Sequence, residues 1–301
     1  MAASLALHHH GKSRVRVGRT WREGNVHHFV EWTVEVLIES DMEHAFLHGS
    51  NTDMTPTDTV KNTCYYIAKK ATKRCSVEEY AITLGKHFCT TYPKVFNAKV
   101  NVREKNWQRV EVDGKLHDHG YILSGPEIHM TKAVVEKNGK GELEVDLVSG
   151  IEDMSVLKTT QSGYEGYLKD QFTSLPETND RMMATTVTAN WRYNCTKPEC
   201  YHKVYRLVKE AFKMAFYGPA QGGVYSPSVQ YTLYQMASLA LAECKEIDSI
   251  YLHMPNLHFL PFSHDKMGVP FENDVYVATS EPHGTIEATV TRETAIPHAR
   301  L

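Results

Sequence analysis

The residues best suited to chemistry are densest in Thr55-Pro56-Thr57-Asp58-Thr59-Val60-Lys61-Asn62-Thr63. Hydroxyls, a carboxylate, an amine and an amide stand directly before an apolar helical pattern, where a helix N-terminus presents free backbone N–H groups. Such an end is a ready anion site. Read as structure alone, the stretch is an N-cap: Pro56 ends an extended segment, Thr57 or Asp58 caps, and Val60, Cys64, Ile67 and Ala68 form one buried face. Other polar residues stand alone in apolar surroundings. Lys12 follows Gly11 at the entrance to a strand, Arg181 lies in Asp180-Arg181-Met182-Met183, Gln230 follows Val229 at a helix start, and Asn256 and His258 flank Leu257. Each has an ordinary account: Arg181 could pair with Asp180 or Glu177, Gln230 could be a helix-start polar group, and His258 could be a satisfied core histidine.

A search for metal chemistry among the 17 histidines and six cysteines is mostly negative. No His-Glu-x-x-His, paired Cys-x-x-Cys or calcium loop occurs. Cys195, Cys200 and His202 come nearest to a zinc set but lack a fourth ligand at suitable spacing, so no metal is expected. Gly222-Gly223 and Gly139-Lys140-Gly141 lack the strand-to-helix spacing of phosphate loops. A Gly-x-Ser-x-Gly nucleophile elbow is also missing.

Bulk properties bound the answer further. At 301 residues and 42% hydrophobic content, two core-bearing units or one large one are expected. A net charge of -3 without a long single-sign run gives no steering toward nucleic acid or a membrane surface. A small neutral or weakly anionic partner fits better. No run reaches the ~18 apolar residues of a membrane-crossing helix, and the apolar start Met1 to Leu7 is too short for a secretion signal. Free thiols in a reducing interior are the expected state of the cysteines. Ala299-Arg300-Leu301 has the small-basic-leucine form of a peroxisomal address.

The elements that must position these residues follow from periodicity. Val30, Trp32, Val34, Val36 and Ile38 alternate with polar neighbours as a strand wet on one face, preceded by an extended segment at 14 to 22. After the helix opened by the Thr55–Thr63 stretch, Ser76 caps a second helix running to Tyr92. Strands are expected at 96 to 103, 107 to 113, 119 to 123, 130 to 136 and 143 to 147, with Asp113-Gly114 as a hairpin turn. The second half repeats the order: a strand at 187 to 193, helices over 198 to 216 and 226 to 244, and strands at 248 to 254, 257 to 262, 274 to 278 and 285 to 291. The order β-β-α-α-β-β, twice, predicts an α+β protein with helices on one face of antiparallel sheets. Uncovered faces and edges then favour an oligomer.

Several stretches together resemble the urate oxidase, or uricase, family. They are Gly11-Lys12 with Val15-Arg16-Val17, Pro56 to Thr63, Gly85-Lys86-His87-Phe88, Val156 to Gly163, Asp180-Arg181, Tyr225 to Gln230, Met254 to His258 and Glu281-Pro282-His283-Gly284, in family order. The resemblance implies two tandem T-fold units, here 11–145 and 146–295, followed by a tail at 296–301. It also implies a homotetramer whose sheets close into a barrel-like tunnel, with active sites at subunit interfaces, and a peroxisomal location reached through an import receptor that reads Ala299, Arg300 and Leu301. The implied reaction takes urate, O2 and water to 5-hydroxyisourate and hydrogen peroxide with no cofactor.

By the same resemblance Arg181 and Gln230 grip the purine, whose ring edge matches their coplanar hydrogen-bonding groups. Tyr164 stacks on the ring, the backbone N–H groups of Asp58 and Val229 complete the edge contacts, and Leu175 and Ile286 form apolar walls. Lys12, Thr57 and His258 form a proton relay, while Asn256 and Thr57 hold the oxygen species. There are departures: Tyr164 stands where many members have Phe, Thr55 replaces an aliphatic residue, and Asn194 to Tyr201 does not align. The alternatives are a pterin or GTP enzyme on the same fold, which needs metal-binding histidines or a thiolate, and an inactive purine-binding protein.

Overall fold

The alternation at Val30 to Ile38 becomes β2 (Val26–Ser40), in which Trp32, Val34, Val36 and Ile38 are fully buried. A computed structural model describes residues 3–195 and 201–293, Asp265 by its backbone only. Pro198, Cys200 and the Ala299-Arg300-Leu301 tail lie outside the described residues. The chain divides into two units, residues 1–150 with 195–201, and residues 151–194 with 202–301.

In the first unit β1 (His10–Glu23), β2, β3 (Val95–Val112) and β4 (Lys115–Lys137) pair in sequence order, each antiparallel to its neighbour. The separate strands expected at 96 to 113 and at 119 to 136 are therefore two long strands. Their register shifts at Lys105/Trp107 and Arg109/Glu111, so bulges rather than chain breaks interrupt the alternation. Leu143 to Gly150 of β5 (Leu143–Lys158) completes this unit.

Between β2 and β3 come a short helix absent from the sequence reading, α1 (Glu43–His48), then α2 (Thr57–Lys70) and α3 (Val77–Thr91). As expected, Val60, Cys64, Ile67 and Ala68 are buried on α2. Ser76 caps α3 in a reciprocal box with Glu79. Trp32 from the sheet stacks on Tyr80 from α3 with centroids 4.4 Å apart, which joins the two layers.

The second unit holds Ile151 to Lys158 of β5, β6 (Met183–Tyr193), α4 (Tyr201–Tyr217), α5 (Val229–Glu243), β7 (Ile247–His253), β8 (Asn256–Pro261), β9 (Tyr276–Gly284) and β10 (Glu287–Thr291), with Tyr201 itself grouped with the first unit. β7 lies between β6 and β10. Pro255 ends β7, so β8 does not run on beside it. Instead β8 touches β6 at Ala184↔Leu257 and makes a ribbon with β9. Trp191, Ile250, Leu252, Phe212, Phe216 and Met236 fill this core. Both units are thus antiparallel sheets backed by a helix pair, the expected α+β arrangement.

Candidate functional site

In the first unit, the opening of α2 differs from the expected cap. Pro56 is the N-cap residue, with φ -62 and ψ 147, and no side chain caps the helix. Proline offers no side-chain acceptor, and Thr57 and Asp58 already lie inside the first turn. Asp58 uses its carboxylate within the helix instead, accepting from Lys61 at 2.5 Å and from Asn62 at 2.9 Å. The Val60 N–H donates to the Pro56 carbonyl at 3.1 Å, and among the described residues no side chain caps the N–H groups of Thr57, Asp58 and Thr59 before it.

Lys12 comes to this helix start from β1. It pairs with Val36 immediately before a bulge, at which Arg14 takes a left-handed φ of 58. Gly11 makes the approach possible, because a Cβ there would stand 1.8 Å from the Val36 carbonyl oxygen. Next door, the His10 ring nitrogen Nε2 lies 2.9 Å from the Thr55 carbonyl oxygen and ties β1 to the segment entering α2. The hydrogen bond and charge of Lys61 hold the Asp58 carboxyl below its usual range, and the Lys12 ammonium adds to that. Lys12, Thr57 and Asp58 therefore share one corner of the first unit.

In the second unit, Arg181 precedes β6. Both carboxylates that could pair with it are otherwise engaged: Asp180 accepts from Thr160 at 2.7 Å, and Glu177 accepts from the Gly166 N–H at 2.8 Å and faces Lys169 at 3.0 Å. The buried Nε of Arg181 has no hydrogen-bond partner among the described residues. Its guanidinium lies 5.3 Å from the centroid of Tyr164, which in turn stacks on Tyr167 at 4.8 Å. Burial lowers the pKa of Arg181, opposed by Tyr164 and Tyr225, and a guanidinium stays charged regardless. The result is a desolvated donor fork beside an aromatic ring.

Gln230 is exposed in the first turn of α5 and does not cap it. Ser228 does, accepting from the Tyr231 N–H at 3.1 Å, which leaves the N–H of Val229 for another acceptor. Asn256 and His258 share one face of β8 by strand periodicity, neither in the core. Leu257 between them pairs with Ala184, so they lie near the strand that Arg181 enters. Leu175 is held by its carbonyl, which accepts from Tyr167 at 2.5 Å, and the Ile286 carbonyl accepts from the Met254 N–H at 2.8 Å.

The second unit thus brings together Tyr164 and Arg181, and it places Asn256 and His258 on the strand beside β6. A connector whose partner the sequence does not reveal is Ser226. Its N–H donates to the Gln161 carbonyl and its carbonyl accepts from the Gly163 N–H, each at 2.9 Å. Two serines far apart in the chain announce no such pairing. Among the described residues no group of three or more His, Cys, Asp or Glu could hold a metal ion.

With antiparallel sheets and helix pairs in both units, the chain is a T-fold protein. Comparison with known proteins narrows the class. The profile described as Uricase matches residues 8–134 and 147–287. The chain is 48% identical to the uricase of Arabidopsis thaliana, over 95% of each chain. It is 39% identical to that of Danio rerio, over 97% of this chain and 95% of the other. The crystal structure of uricase from Arthrobacter globiformis superposes with a TM-score of 0.89 at 31% identity, covering 99% of this chain and 98% of the other. This chain belongs to the uricase family.

Proposed function

We propose that the chain is a urate oxidase that converts urate, O2 and water to 5-hydroxyisourate and hydrogen peroxide without a metal or organic cofactor. Two electrons pass from the deprotonated purine to O2, which leaves as peroxide. The oxygen that enters the ring comes from water. Arg181 carries this reading: a desolvated guanidinium with an unused Nε beside the Tyr164 ring can bind the edge of a flat anion that the ring stacks against. Gln230 grips the same edge, and the N–H groups of Asp58 and Val229 meet the remaining ring acceptors. Leu175 and Ile286 wall the ring.

Urate must lose a further proton before it reduces O2, so a base is required. Lys12 takes that role with the Thr57 hydroxyl as conduit, which their shared corner supports. His258 moves protons as peroxide leaves and water adds, and Asn256 with Thr57 holds the oxygen species. The two residue sets meet at a subunit interface of a homotetramer whose sheets close a tunnel, Lys12 and Thr57 from one chain and Arg181, Gln230 and His258 from its neighbour. The tail Ala299-Arg300-Leu301 is read by the peroxisomal import receptor, which gives the location.

The test follows urate absorbance and peroxide release with purified, chelator-treated protein in air. Stoichiometric peroxide and unchanged turnover after chelation are expected. Absence of turnover from neutral to alkaline pH would reject the function, and loss on chelation would reject the cofactor-free chemistry.

A further inference from the structure

Lys158, the last residue of β5, is a half-buried lysine with three acceptors and, among the described residues, no carboxylate partner. Its Nζ donates to the Ser226 hydroxyl oxygen at 2.6 Å, the Val224 carbonyl at 2.9 Å and the Phe216 carbonyl at 3.2 Å. Three donors on a compact cation match three acceptors. Phe216 lies in the last turn of α4, whose exposed carbonyls favour a positive charge. Val224 closes the loop leaving that helix through Gly218, Gly222 and Gly223, all with positive φ. An ammonium here fixes a glycine-rich loop that would otherwise be loose.

The acceptor Ser226 is the junction between the two parts of the proposed substrate grip. Through its backbone it holds Gln161 and Gly163, and the Ser162 carbonyl between them accepts from the Arg181 N–H at 2.9 Å. Tyr164 follows directly and is fixed by hydrogen bonds of 2.7 and 3.2 Å with Thr178. Gly163 leaves no slack, since a Cβ there would stand 2.0 Å from the Tyr225 hydroxyl. In the other direction the Ser226 hydroxyl accepts from Thr232 of α5 at 2.8 Å, in the same helical start as Val229 and Gln230. Burial where these three segments meet pushes the Lys158 ammonium down to about 8, while its three acceptors favour the charged form.

We propose that Lys158 is a positioning residue: by holding α4's end, the loop and Ser226 together, it sets the separation between Tyr164–Arg181 and Val229–Gln230. This rests on those four residues being the purine-binding set. Lys158 touches no substrate; it acts through Ser226.

The experiment compares wild type, K158M, K158R, S226A and the K158M/S226A double variant, measuring urate kcat and KM, xanthine affinity by calorimetry, and thermal midpoint. K158M should raise urate KM and weaken xanthine binding about tenfold, the scale of one charge-assisted hydrogen bond, with kcat changed less than about threefold. K158R should recover most of that loss, because a guanidinium can donate to the same carbonyls. The double variant should be no worse than K158M, because the two groups act as one link. A wild-type KM in K158M, or a fall in kcat and midpoint with KM and xanthine affinity unchanged, overturns the inference. Should K158M not fold, S226A carries the same KM prediction, and an unchanged KM there overturns it equally. Wild-type protein that binds xanthine but does not oxidise urate rejects the proposed function instead, and the xanthine series still decides the role of Lys158.

Discussion

The buried pair Glu78–His129 gives a quantitative test of what holds the first unit together. Glu78 of α3 has no exposed surface, and His129 of β4 has 6%. One carboxylate oxygen faces His129 Nε2 at 2.9 Å and accepts from the Ser149 hydroxyl at 2.8 Å. Burial opposes ionisation of Glu78, yet the charge and hydrogen bond of His129, with Ser149, hold its carboxyl below the ordinary range. Burial likewise pushes His129 down, but Glu78 first, then Glu104 of β3 and Glu127 of β4, raise it above its ordinary value. The pair is therefore ionic and pins α3 to the sheet. His129→Leu strands a buried carboxylate with one hydroxyl, which should cost ~3–5 kcal/mol. At ~2–4 °C per kcal/mol for a unit of this size, the thermal midpoint should fall by about 10 °C.

The pH dependence has a definite sign. The raised His129 value contributes stability below its ordinary 6.5 that is lost as pH rises through the folded value. The lowered Glu78 value contributes stability above its ordinary 4.5 that is lost as pH falls through the folded value. The midpoint difference between wild type and His129→Leu, read by scanning fluorimetry from pH 4 to 9, should peak between those two values. The double change Glu78→Leu with His129→Leu should regain much of the loss, since no charge is then stranded. A single-variant fall below about 3 °C, or a difference independent of pH, would refute the ionic assignment.

Two further outcomes concern the reaction. Lys12→Met and Thr57→Ala should each lower urate turnover by about 10²–10⁴-fold, the range for a removed acid–base group, while xanthine affinity stays within about threefold; wild-type turnover in either rejects the relay. Gly11→Ala drives a Cβ into the Val36 carbonyl, so β1 must move and carry Lys12 with it. It should lower the midpoint by an amount equivalent to ~1–3 kcal/mol and turnover at least tenfold, and a variant indistinguishable from wild type by both measures would show that the strand approach does not matter.

Much of the fold is legible in local pattern. Val30 to Ile38 had to be a strand because one face is apolar at period two, and Ser76 with Glu79 announced the start of α3. Less legible were the bulges at Lys105 and Arg109, which depend on the partner strand, and β8, whose pairing with β6 and β9 depends on contacts remote in sequence. The cap of α2 was misread for an instructive reason: Thr57 and Asp58 are good capping types, but Pro56 fixes the extended conformation one residue earlier.

For the site, residue types were available from the start and their relations were not. Lys12, Arg181, Gln230, Asn256 and His258 could be picked out as polar residues in apolar settings and Thr57 within a polar helix start, and the collinear stretches that hold them carried the family resemblance. Whether Arg181 was spent on a neighbouring carboxylate was undecidable from sequence, because Asp180 and Glu177 were equally near along the chain. Only the folded second unit gave Asp180 to Thr160 and Glu177 to Gly166 and Lys169. Periodicity and motif are local properties, so they settle which elements form and which groups are present. Partner choice belongs to the tertiary structure, where distance through space rather than along the chain decides which donors remain for a ligand.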